Sequence, residues 1–220
     1  MENLNRIQTN NLAITAAPKI ASTNLVKFFV DRFDNIIETS DDKKLPNIII
    51  VITRNERDRW CSGVIQEINE FRFEHEYKSS NISYILDKEA DSLGQKSIFT
   101  NSHAHLGTIG YLPYITELVL RDNTYFTDIS SLSKKSFWEK VCELDNTWPN
   151  LNEWWDDWSS FRNGDHGPPN SVNPEQLKRK KLVSIVKGML KNDSRLDFIS
   201  EILDNNQETI NHLKGTNKWI

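Results

Sequence analysis

The chain has 220 residues, 37% hydrophobic and 26% charged, the balance of a folded globular protein rather than a disordered one. A net charge of −4 lends no support to general binding of nucleic acid or of anionic membrane surfaces. Eight glycines argue against a glycine-rich phosphate loop, two cysteines make no disulfide framework, and no apolar run approaches the length of a membrane span. With reduced thiols and no charged-then-apolar leader pattern, the chain is expected in the cytoplasm.

Residues 1–22 are polar and rich in asparagine, with Pro18, and read as a flexible N-terminal arm. Thr23 then suits a helix N-cap, and Val26, Val30, Phe33 and Ile37 recur at helical spacing through "NLVKFFVDRFDNIIETS". The run "NIIIVI" (47–52) lacks alternation and predicts a strand buried on both faces. In "ERDRWCSGVIQEINEF" the residues Trp60, Val64, Ile68 and Phe71 form one helical stripe, and "NISYIL" (81–86) reads as a second strand. Strand, helix, strand over some forty residues is the pattern of a βαβ unit.

From residue 97 the pattern is looser. "SIFT" suits a short strand and "PYITELVLR" either a helix opened by Pro113 or a further strand. "SKKSFWEKVCELD" predicts a helix, with Ser136 and Glu139 spaced as a capping box. Residues 145–173 hold four of the seven tryptophans. A helix opens at Asn173 and Pro174, another at Ser194 and Asp197, and a last short one ends at Gly215. The fold class expected is therefore α/β, a mostly parallel sheet with a βαβ core, followed by a helical C-terminal segment. The domains expected are the arm (1–22), an α/β domain (23–146), a Trp-rich connector (147–173) and a helical C-terminal subdomain (174–220).

The sharpest chemical motif is "TNSHAHLG" (100–107). In a strand, His103 and His105 share a face and can reach one ion, with His166 as a third ligand for a divalent metal. The segment resembles the HxH stretch of amidohydrolase and TatD-type metal hydrolases. It departs from them at Asn101, where those proteins carry an acidic residue, and too few residues follow for their barrel. "FTNSHAHL" with "GDHGPP" (164–169) also resembles two motifs of trypsin-like proteases, but His166 stands at the nucleophile position and cannot attack as a hydroxyl does. "RNGDHG", with Arg162 and His166, resembles the arginine–histidine motif of HEPN-type ribonucleases at a shorter spacing. Without further ligands, loop histidines bonded to backbone or water are the ordinary state of such residues.

Other residues point to contact rather than chemistry. In "NEWWDDWSSF" the rings of Trp154 and Trp158 align on one helical face, Trp155 points elsewhere, and Glu153, Asp156 and Asp157 supply acid. Such rings are core anchors by default and interface anchors otherwise; an acidic rim around exposed rings suits a basic partner. Lys178, Arg179, Lys180 and Lys181 open a helix where the macrodipole disfavours cations, which suits pairing with an acidic partner, although a solvated face is the commoner use. Asp87, Glu89 and Asp91, with Arg54 and Arg57, follow strands at the end where α/β proteins hold ligands. The expectation is a non-catalytic accessory subunit of a larger intracellular assembly that binds a protein partner and needs no cofactor. Its contact residues would be Trp154, Trp155, Trp158 and Lys178–Lys181. The alternative is a metal-dependent hydrolase or nuclease on His103, His105 and His166.

Overall fold

A computed structural model describes residues 6–16, 22–39, 45–70, 117–164, 183–188, 190–192 and 194–220. Five strands form one mixed sheet in the order β3-β1-β2-β4-β5. β1 (Arg6–Gln8) and β2 (Leu12–Ala16) are an antiparallel hairpin, and β3 (Ile37–Thr39) runs antiparallel to β1 on its other side. β4 (Ile48–Thr53) is parallel both to β2 and to β5 (Thr124–Asp128). The class is α/β, and among the described residues the sheet is mixed: β2, β3, β4 and β5 share one direction and β1 runs against them.

The hairpin replaces the flexible arm expected from composition, since Ile7, Leu12, Ala13, Ile14 and Ala16 are all buried. The polar residues that suggested an arm make the turn instead. The Thr9 N–H donates to the Leu12 carbonyl, and the Thr9 hydroxyl oxygen accepts from the N–H groups of Asn11 and Leu12. α1 (Ser22–Phe29) ends well before Thr39. The chain turns through Asp31–Asn35, and the β-branched residues after it pair with β1. Local helical spacing lost there to a tertiary strand partner. β4 matches its reading: five of its six residues are buried. The strand proposed for 81–86 lies outside the described residues, so the βαβ order is not shown. β5 extends the sheet from within the stretch that was hardest to read.

Contacts divide the chain into two units, each discontinuous in sequence. Unit 1 is Met1–Arg54, Tyr114–Ser171 and Ile210–Ile220; unit 2 is Asn55–Pro113 and Val172–Thr209. In unit 1 a 3-10 turn (Ile129–Ser133) leads from β5 into α3 (Lys135–Leu144), and α4 (Leu151–Gly164) follows. The expected capping box is absent: Lys134 is the N-cap, it makes no side-chain cap bond, and Ser136 lies inside the helix. Asn150 caps α4, its Oδ1 accepting from the Asn152 N–H.

Unit 2 packs α2 (Glu56–Glu70) with helical residues 183–188 and 190–192 and with α5 (Asp197–Lys214) as far as Thr209, a 3-10 turn at Ser194–Leu196 preceding α5. Trp60, Val64 and Ile65 meet Val186, Leu190, Leu196, Ile199 and Leu203 in one apolar cluster. Asn55 caps α2 through the Asp58 N–H. A fully buried ion pair joins Glu56 and Arg59, with both carboxylate oxygens engaged at 2.8 and 2.9 Å and Asn206 donating to one of them. Arg57 holds Asp204 and Ser200, and Lys187 pairs with Asp58. α5 runs unbroken to Lys214, so Gly215 ends a long helix and not a separate short one.

Candidate functional site

The indole cluster of unit 1 is the base on which its surface is built. Trp154 and Trp158 are 1% and 0% exposed; both pack edge-on against Phe28 and Trp138, and Trp154 also against Phe29, at centroid distances of 4.9–6.2 Å. Their polar edges are satisfied inward. The Trp138 and Trp158 N–H groups both donate to the Leu132 carbonyl, at 3.0 and 2.7 Å, and the Trp154 N–H donates to Pro149. These two rings are therefore core, and the expectation that they stand as surface anchors is corrected. A helix face shared by Trp154 and Trp158 has to be covered, and α1 and α3 of the same unit cover it. Trp155, one position on, is half-buried and is the ring of the three that reaches the surface.

Beside this core, where α3 ends and α4 begins, lies an open groove of about 760 Å³. Its base is Trp148, Leu151 and Cys142, the first two buried and the third half-buried. Lys135, Glu139 and Glu143 line it from successive turns of α3, with the four-residue spacing that puts residues on one helical face. Asn146, Asn150 and Asn152 add amides from the connecting turn and the start of α4. All six of these polar residues are exposed. Glu143 shares its charge with Lys140 at 3.0 Å on the surface, whereas Glu139 has no ion pair among the described residues.

Asp145 fixes the geometry of the turn. It is 2% exposed and ends α3 with its N–H on Val141. Its carboxylate accepts from the Thr9 hydroxyl at 2.5 Å, from the Thr147 hydroxyl and N–H at 2.7 and 2.9 Å, and from Asn11. Burial pushes this carboxyl up, but the hydrogen bonds from Thr9, Thr147 and Asn11 outweigh it and hold the group below the ordinary carboxylate value. One buried anion thus ties the β1–β2 turn to the wall of the groove.

Cys142 is a poor nucleophile in this setting. Burial raises its pKa, the Leu151 N–H pulls it partly back, and the Asp145 charge adds to the rise, leaving it above the ordinary thiol value. Its Sγ donates weakly to Pro149 at 3.7 Å. Near neutral pH the group is a thiol, and thiolate is the reactive form. The groove therefore presents two carboxylates, one ammonium, amides and a small apolar floor, an arrangement suited to holding a ligand.

Comparison with known proteins gives no relative: no family model, no curated protein and no solved structure matches the chain.

His103, His105, His166 and Lys178–Lys181 lie outside the described residues, as do Asp87, Glu89 and Asp91, so the metal and basic-run expectations rest on sequence. Arg57 is committed to Asp204 and Ser200. Among the described residues no group of three or more His, Cys, Asp or Glu is placed to hold a metal ion, and no helix is long and apolar enough to cross a membrane. Sequence reasoning passed over the groove because its residues carry no motif. The turn "DNTWPNLN", with five polar residues around Pro149, was the available sign of a polar loop next to a helix start.

Proposed function

We propose that the chain is a non-catalytic interaction protein, an accessory subunit, and that the groove at the α3–α4 turn docks a basic, partly apolar segment of a protein partner. The observation that carries the reading is the composition of the groove. Two exposed α3 carboxylates, Glu139 and Glu143, outnumber the one ammonium, Lys135, and with three amides they surround a floor of Leu151, Trp148 and a thiol held in its neutral form. Carboxylates and amides recognise ammonium, guanidinium and peptide groups, and the floor shelters an aliphatic side chain. The exposed acids of α4, Glu153 and Asp156, extend the same charge sign along the neighbouring helix, while half-buried Trp155 adds ring area there. Asp157 is already paired with Arg32 at 2.6 Å.

Cys142 reports on occupancy. Cys61 is buried and Cys142 half-buried, so alkylation of the folded protein marks Cys142 first. A saturating Lys/Leu peptide slows that alkylation if it lies in the groove. An unchanged rate at saturation removes the groove as the docking surface.

A further inference from the structure

The outer edge of β5 is occupied by the chain itself. After α5, Gly215 and Thr216 turn back on His212 and Leu213, and the next residues run beside β5. The Phe126 N–H donates to the Lys218 carbonyl at 2.7 Å, and the Ile220 N–H donates to the Phe126 carbonyl at 2.9 Å. These two bonds flank Trp219, which forms a parallel bridge with Phe126. The Thr127 hydroxyl adds a bond to the Ile220 carbonyl at 2.7 Å. Lys218 Nζ donates to the carbonyls of Val119 and Arg121, the end of the helical turn at 117–119. The Lys214 ammonium stands 5.5 Å from the Trp219 ring centroid. All of these groups belong to unit 1.

We propose that the β5 edge is a strand-addition site, that Thr216–Ile220 is its built-in strap, and that the same segment of a second copy of the chain replaces it. A sheet edge is a template for an extended segment, with main-chain bonds giving affinity and side chains giving register. The strap holds a single bridge pair, and Lys218, Trp219 and Ile220 all stay half-exposed. Release therefore costs few bonds and leaves the β4–β5 pairing intact. The segment that fits the edge is the chain's own: Lys218, Trp219 and Ile220 put a basic, an aromatic and an aliphatic residue in a row, with Thr216 and Asn217 between them and Gly215. Exchange of an identical element between copies is a low-cost route to a dimer. This surface is separate from the α3–α4 groove, and its test is independent of that reading.

The test uses a labelled peptide of residues 215–220 and two altered chains, one ending at Gly215 and one of full length carrying Trp219→Ala, which keeps the test open should the shortened chain not fold. The strap competes at the high effective concentration of a tethered ligand. The expected result is binding of the peptide to an altered chain about tenfold or more tighter than to the unaltered chain, with no binding of a scrambled peptide. Concentrated refolding of the unaltered chain should also give a dimer that the chain ending at Gly215 or carrying Trp219→Ala does not give. A folded altered chain that ignores the peptide, equal binding by the unaltered chain, or an unaltered chain that stays monomeric after such refolding would each overturn the proposal.

Discussion

Single polar side chains decide more here than their number suggests. Asp145 has its pKa lowered in the folded state, so it contributes stability above the ordinary carboxylate pKa of about 3.9 and loses it as pH falls through the lower folded value. Asp145→Asn should therefore destabilise the protein at pH 7 and flatten the acid side of its stability profile; urea melts between pH 2 and 7 read both effects. Thr15 and Thr124 carry the opposite lesson. Each hydroxyl is buried, at 1% and 0% exposure, with no partner among the described residues. A buried hydroxyl without a bond costs about 1–3 kcal/mol, and an apolar group of the same shape removes that cost. Thr124→Val should raise stability by about 1 kcal/mol, and a loss of stability would show that the hydroxyl is in fact satisfied. The histidines supply a third test. On the non-catalytic reading, metal analysis of the purified protein finds no stoichiometric ion, and His103→Ala with His105→Ala changes nothing; one equivalent lost on that double change would favour the hydrolase alternative.

At the scale of elements, α4 shows what a sequence pattern can and cannot say. The spacing of Trp154 and Trp158 correctly put their rings on one face, but spacing does not say whether the chain itself or a partner covers that face. The answer came from α1, whose Phe28 and Phe29 meet both indoles. Trp158→Ala should cost about 3–5 kcal/mol through the cavity it leaves, whereas half-buried Trp155 should cost much less on truncation, a contrast that thermal melts of the two variants resolve. β4 and α2 were legible because an unbroken β-branched run and a four-residue stripe each allow few alternatives. The β1–β2 hairpin was not, because strands of three and five residues leave little periodicity and asparagines in a turn look like asparagines in a loose arm. β3 was misread for a related reason: its partner lies far away in sequence, and only that partner makes three residues a strand.

For the whole molecule, class was readable and arrangement was not. Alternating strand-like and helix-like stretches announced α/β, yet the reversed β1 turns the sheet mixed, and the chain passes between its two units more than once. Boundaries drawn along the sequence follow composition, while these units are assembled from separate stretches: the connector became α4 of unit 1, and residues 210–220 returned to the same unit. The groove was hidden by the same property, since Lys135, Glu139 and Glu143 matter only once Asp145 has folded the following turn toward the β1–β2 hairpin. Charge selectivity at that groove tests the account most directly. Two peptides of equal length and equal leucine content, one rich in lysine and one in glutamate, are titrated against the protein and against Glu139→Gln/Glu143→Gln. Exposed charge pairs contribute about 0.2–1 kcal/mol each, so the account predicts that the basic peptide binds in preference and loses affinity several-fold in the double variant. Equal binding of the two peptides, or affinity for the basic one that the double variant leaves unaltered, would contradict it.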